Sequence, residues 1–305
     1  MALSDIETRL IELGLIPWDK SFTIRMGYMD FFRGKTSIFK FLEREKDNLS
    51  GDLLSFWQLM IAWKEGKPMK TESATTLRFF IYPSWMAQDH RVFIKQGSLI
   101  NRQITDDPRK VIYQPTNKLI LLDGGTSQWA SAAYLYYWSI KKPWMKINNP
   151  PPKLQSTYED VEYYDRLNWR EMGECWKPQR DRTILKQVVA VIDMLKTVTT
   201  LWRPEHSEDC CIAMAFGMSV EEVKKLFPSA IDHETNRFTE MPKVIADVKA
   251  GREITSIDHR AIWAGVALQL IQGREVKVRH PEAVGKSWPP VQFWKCVDFL
   301  KGADF

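Results

Sequence analysis

Three consecutive prolines, Pro150-Pro151-Pro152, follow Asn148 and Asn149 near the middle of this 305-residue chain. Proline has no N–H to give to a helix or a ladder, and it drives the residue before it out of the α region. The stretch KKPWMKINNPPPKLQSTYED, residues 141–160, therefore reads as a loop, and regular structure has to form on either side of it. The chain is 44% hydrophobic and 27% charged, enough to bury a sizeable core in two domains or one large one and too apolar for disorder. It carries no solenoid-period repeat and no low-complexity tract.

Helical and extended patterns alternate along the rest. The start, MALSDIETRLIELGLI, has Ser4 and Glu7 at capping-box spacing and charges among its apolar residues, which predicts a capped amphipathic helix rather than a signal peptide. SVEEVKKLF offers Ser219 as cap, Glu222 as its box partner and Pro228 as stop; FTEMPKVIADVKAG ends on Gly251. RVFIKQGS, KLILLDGG and REVKVRH read as short strands. The expectation is a mixed α and β protein. The longest apolar run, ASAAYLYYWSI, stops at Lys141 and Lys142, short of a membrane span, so a soluble, cytoplasmic protein is expected.

A formal charge of +5 favours anionic partners without choosing among them. Cys175, Cys210, Cys211 and Cys296 show no C-x-x-C spacing, and the adjacent Cys210 and Cys211 are poorly placed to bridge each other, so reduced thiols are expected. The five histidines do not fall at metal-ligand spacing, and neither a metal nor a cofactor is expected.

SIDHRAIWAGVALQLIQG, residues 256–273, poses the most specific question. Asp258 should cap a helix that ends before Gly273. Arg260 then lies at the positive end of the helix dipole, unfavourable by about 0.3–1 kcal/mol unless an anion is nearby. A neighbouring carboxylate or open solvent would answer this blandly, and a bound ligand would answer it functionally.

Other short segments accompany it: KSFTIR (20–25), SATTLR (73–78), SLINRQI (98–104), GGTSQWASA (124–132), HETNR (233–237) and HPEAVGKSWPPVQFW (280–294). In this order, from Lys20 to Phe293, the chain resembles the enolpyruvyl transferases, the 5-enolpyruvylshikimate-3-phosphate synthases in particular. The resemblance implies a two-domain inside-out α/β barrel built from βαβαββ units, shortened here, with most of the deficit between Gln128 and Asp209. It implies one lobe over 20–185 and a second over 1–19 plus 186–305, the latter carrying much of the phosphoenolpyruvate site. It also implies the activity of a 3-phosphoshikimate 1-carboxyvinyltransferase, a cytoplasmic step of aromatic amino acid biosynthesis in the shikimate pathway, run by a monomer on small molecules with no nucleic acid or membrane partner.

Residue by residue, the resemblance assigns phosphoenolpyruvate to Lys20, Arg102, Gln128, Arg237, Arg260 and Lys286. The shikimate phosphate or another acceptor falls to Ser21, Arg25, Thr126, Ser127, Gln128, Ser156, Tyr158, Asp209 and His233. Lys20 and Glu234 are the candidates for protonating carbon, and Asp209 is the candidate base for the acceptor hydroxyl. A phosphate and a carboxylate on one small ligand require several fixed cations, and guanidinium forks meet both bidentately. The resemblance thus implies that basic residues from 20 to 286 gather around one polyanion between two lobes. The chain departs from the pattern at Ala74, His233 and Asn236, where the family has glycine, lysine and aspartate, so a different acceptor alcohol is open. Two other classes compete: a catalytically idle homologue that keeps an anion-binding cleft, and a basic nucleic-acid binder that stacks bases on some of the 13 tryptophans. The spread of those tryptophans predicts that most are core residues.

Overall fold

The computed structural model describes residues 3–100, 111–114, 118–121, 127–141, 154–170, 176–196, 202–228 and 235–302. Those residues are mostly helical. They form two compact units, Met1–Trp18 with Arg180–Phe305, and Asp19–Gln179.

The unit Asp19–Gln179 is built on α2 (Lys20–Phe32), α3 (Ser37–Arg44), α4 (Gly51–Glu65), α5 (Ala74–Met86), α6 (Ser127–Lys141) and α7 (Gln155–Arg170). Its strands are short. β1 (Met69–Thr71) and β2 (Phe93–Lys95) pair in parallel on either side of α5, with Met69 opposite Phe93; β3 (Val111–Gln114) and β4 (Lys118–Leu121) form an antiparallel hairpin with Val111 opposite Leu121. α2 packs on α4, α6 and α7, and α5 packs on α6. Buried rings fill the space between them: Tyr28, Phe56, Phe80, Tyr82, Trp129, Trp138 and Tyr164 are all almost fully enclosed. Tyr28 meets Phe79 edge to face at 5.1 Å and Trp138 meets Tyr164 at 5.3 Å, the geometry that the ring quadrupole favours.

The other unit holds α1 (Leu3–Glu12), α8 (Arg182–Lys196), α9 (Cys210–Ala215), α10 (Val220–Leu226), α11 (Thr235–Lys249), α12 (His259–Ile271) and α13 (Pro290–Gly302). α12 is its centre, buried at His259 and from Ala261 to Leu270 and packed against α8, α9 and α11. Asp258 caps it by accepting from the N–H groups of Arg260 and Ala261, and Gly273, just past its end, adopts φ 62°, a conformation that favours glycine. Ser219 and Glu222 form the reciprocal capping box of α10.

Gly265 lies on α12 where the helix touches its neighbours. A methyl there would come within 2.6 Å of Ile254 Cδ1 and 2.8 Å of Val244 Cγ1. Alanine in a helix interior is ordinarily favoured over glycine by about 1 kcal/mol. Here the overlap reverses the sign, and Gly265→Ala is expected to destabilise by about 1–3 kcal/mol, seen as a lower melting temperature.

The architecture corrects the expectation of an α/β protein and of an inside-out α/β barrel. Among the described residues the strands are three or four residues long and make two separate two-stranded sheets, too little extended chain to close a barrel. REVKVRH forms only an isolated parallel bridge, Val278 to Ile254, and RVFIKQGS contributes three strand residues. The apolar surface sits instead on helices, several of which are buried on nearly every side. The loop read over 141–160 is corrected at its C-terminal end, because α7 begins at Gln155; residues 142–153 lie outside the described residues. Among the described residues no helix is long and apolar enough to cross a membrane.

Candidate functional site

In the unit centred on α12, several of the predicted residues come together. Asp258 is the hub. Beyond capping α12, it accepts from Arg237 Nε at 3.2 and 3.1 Å through its two oxygens, which ties α11 to the start of α12. Its carboxyl is held below the usual range: burial pushes it up, but the Arg237 guanidinium and the N–H groups of Ala261 and Arg260 outweigh that.

Arg260, at the N-terminal end of α12, meets Glu208 Oε2 at 2.6 Å and also donates to the Glu208 carbonyl at 3.3 Å. The cation at the positive end of a helix is thus answered within the chain by a carboxylate. His259 and Arg260 line a pocket with Gln187, Ser287, Trp263 and Trp288, about 290 Å³ of empty space with its open mouth included. Lys286 closes the 3₁₀ segment Pro281–Lys286, immediately before Ser287.

Asp209 ends a 3₁₀ turn, Ser207–Asp209, and is buried. One carboxylate oxygen accepts from Gln187 Nε2 at 2.7 Å, and the other accepts from the N–H groups of Glu205 and His206 at 2.9 and 3.0 Å. Gln187 in turn accepts from the Trp263 indole at 3.1 Å. Three donors on one carboxylate do the work of a turn cap; service as a base toward a substrate hydroxyl would require one of them to be released.

In the unit Asp19–Gln179, Lys20, Ser21 and Arg25 lie in the first half of α2. Lys20 Nζ is 3.0 Å from Asp52 Oδ2 on α4, and Arg25 donates through Nε to Asp160 on α7. Burial pushes the Asp160 carboxyl up, and the Arg25 charge only partly opposes it. Gln128, in the first turn of α6, accepts from the buried Arg78 and donates to Thr75 Oγ1 at 2.9 Å, joining two of the sequence segments singled out above. Ser156 and Tyr158 lie in the first turn of α7, Ser156 exposed and Tyr158 half-buried; the Tyr158 ring stacks near Tyr134, 6.4 Å between centroids. Ser127 begins α6. Arg102, Thr126, His233 and Glu234 lie outside the described residues.

The predicted cations are therefore divided between units, with Lys20 and Arg25 in one and Arg237, Arg260 and Lys286 in the other. Four of them meet a carboxylate, and sequence reasoning missed three of those partners. Asp52, Asp160 and Glu208 stand 32, 135 and 52 residues from the cations they meet, so no local pattern could mark them. The fourth, Asp258, was singled out as a cap but not as the partner of Arg237. Among the described residues no group of three or more His, Cys, Asp or Glu side chains has the arrangement to hold a metal. Cys210, Cys211 and Cys296 are buried, the Cys210 and Cys211 sulfurs 3.9 Å apart; Cys175 lies outside the described residues. Comparison with protein-family models, with curated proteins and with solved structures finds no match to this chain.

Proposed function

We propose that this protein is a carboxyvinyl transferase, moving the enolpyruvyl group of phosphoenolpyruvate onto a hydroxyl of 3-phosphoshikimate or a related alcohol and releasing phosphate by C–O cleavage. The reading rests on the order of motifs from Lys20 to Phe293. It does not rest on the architecture, since the family barrel is not what the chain forms. The observation that carries it furthest is the meeting of the Arg237 guanidinium and the Arg260 backbone N–H on Asp258, with Ser287, next to Lys286, lining the same pocket as Arg260. Guanidinium forks suit a ligand bearing both a carboxylate and a phosphate, once their present carboxylate partners are exchanged for it. In this reading Arg260 exchanges Glu208, whose side chain is 42% exposed, for the ligand. Lys20 and Glu234 stand as the groups around the carbon that gains a proton, and Asp209 as the base for the acceptor hydroxyl.

A second reading is favoured by the same ion pairs. Lys20–Asp52, Arg25–Asp160, Arg237–Asp258 and Arg260–Glu208 already neutralise the cations that a polyanion would need, as expected of a catalytically idle homologue. One assay separates the two. The transferase releases phosphate from phosphoenolpyruvate only when an acceptor alcohol is present, and Arg260→Gln is expected to cut that rate by about 10²–10³. The idle homologue shows a melting temperature raised by phosphoenolpyruvate with no release under any condition. A chain that shows neither response fits neither reading.

A further inference from the structure

The pocket at the start of α12 has a lining that a phosphoenolpyruvate site does not explain, whether or not the chain is a transferase. All of its lining residues belong to one unit. Trp263, Trp288 and Phe293 pack edge to face on one another, with ring centroids 5.3, 5.4 and 6.0 Å apart, and Ile184 and Val284 extend this apolar wall. Arg260 and Ser287 are set into it. Ser287 is 8% exposed, and among the described residues its hydroxyl has no hydrogen-bond partner. A largely buried hydroxyl left so is costly, and a ligand oxygen would relieve it.

The ion pair on Arg260 is lopsided. Its guanidinium side is 11% exposed, whereas Glu208 is 42% exposed. The carboxylate can therefore let go and be rehydrated at little cost, while the cation stays in the wall. A ligand with one carboxylate replaces Glu208 charge for charge. A phosphate brings more than one negative charge near neutral pH, and its polar body would lie against rings and aliphatic side chains that offer it no hydrogen bonds. About 290 Å³, with the open mouth included, is at the small end of ligand pockets, so whatever enters is short.

We infer that this pocket binds a small monocarboxylic acid with a short apolar tail, and that Glu208 is the built-in competitor for the carboxylate position. The acid's carboxylate meets the Arg260 guanidinium and the Ser287 hydroxyl, and its tail lies against Trp263, Trp288 and Phe293. Binding then requires the Arg260–Glu208 contact to open, so the acid's apparent affinity is set by how often it does.

The test titrates the full chain with acetate, propionate and butyrate and follows the indole N–H resonances of Trp263 and Trp288. Both are expected to shift, with affinity rising about fourfold per added methylene until the tail fills the pocket. Glu208→Gln, at the exposed end of the ion pair, is expected to bind butyrate about tenfold more tightly because the competing carboxylate is gone. Arg260→Gln is expected to lose the response; should that variant fail to fold, Glu208→Gln still decides. Equal affinities for acetate and butyrate would mean an adventitious ion only, and would overturn the inference. So would a response to butanol as large as that to butyrate, inorganic phosphate held more tightly than butyrate, butyrate affinity unchanged in Glu208→Gln, or silent indoles in both proteins. None of these outcomes depends on phosphate release from phosphoenolpyruvate, by which the transferase reading stands or falls separately.

Discussion

Asp30→Ala is expected to cost about 3–5 kcal/mol of folding free energy, a large share of the 5–15 kcal/mol that holds a typical domain together. Asp30 is 1% exposed on α2, where three donors from separate parts of the chain converge on it. Tyr164 of α7 donates to one oxygen at 2.6 Å; Ser37, at the start of α3, and the Trp176 indole donate to the other at 2.7 and 2.9 Å. Lys35 Nζ stands 3.9 Å away. Burial, followed by the Asp30 charge, pushes the Tyr164 phenol well above its ordinary value, so it remains a donor. Alanine would take this acceptor from two buried donors, Tyr164 and the Trp176 indole, and from the half-buried Ser37 hydroxyl, and would remove the charge 3.9 Å from Lys35. The urea midpoint should fall with little change in slope. Asp30→Ala combined with Tyr164→Phe should then cost less than the two changes summed, because the phenylalanine removes one stranded donor. A loss below 1 kcal/mol for Asp30→Ala, or simple additivity in the double variant, would show that the network is not what joins these helices.

What the sequence made legible follows from the range of the interactions involved. Helix ends are set within four residues, so the Ser219–Glu222 box and the Asp258 cap could be read directly and are found. The strand signals in RVFIKQGS and KLILLDGG were also local and also found, as β2 and β4. How much sheet these strands would build depends on pairing partners, which periodicity does not supply, and the fold class was misjudged on that point. The expectation that most tryptophans are core residues holds in part: Trp129, Trp138, Trp176, Trp263 and Trp288 are buried, while others are half-buried and Trp85 is exposed. At the candidate site, the question raised by Arg260 was legible, and so was one of its answers: a neighbouring carboxylate, supplied by Glu208. The Asp30 network was invisible because its donors lie 134 and 146 residues away and an isolated aspartate among aromatic residues carries no local mark. Asp209 was assigned as a base by the resemblance alone; its hydrogen bonds from Gln187 and two backbone N–H groups depend on tertiary packing that no motif encodes.

Asp258 allows one side chain's two roles to be separated, and replacing it should produce the other large effect. Asp258→Ala removes the cap of α12, about 0.5–2 kcal/mol. It also strands Arg237, whose side chain is 10% exposed; breaking such a pair brings the total to about 3–5 kcal/mol. Asparagine distinguishes the two contributions. Both N–H groups of the cap, from Arg260 at 2.9 Å and Ala261 at 3.1 Å, use the same oxygen, Oδ1, which an amide retains, so Asp258→Asn loses chiefly the charge opposite Arg237. Its cost should fall between that of the unaltered protein and that of alanine. The pH dependence gives a second readout. The folded chain holds this carboxyl below its unfolded value, which is about 3.9 for aspartate. Its stabilising contribution is therefore complete above that value and is lost as pH falls through the folded one. Urea unfolding of Asp258→Asn between neutral pH and pH ~3 should show a shallower acid decline than the unaltered protein, the two curves converging at the acid end. Parallel curves would mean that Arg237 gains nothing from the charge of Asp258, and the hub would then be a cap alone.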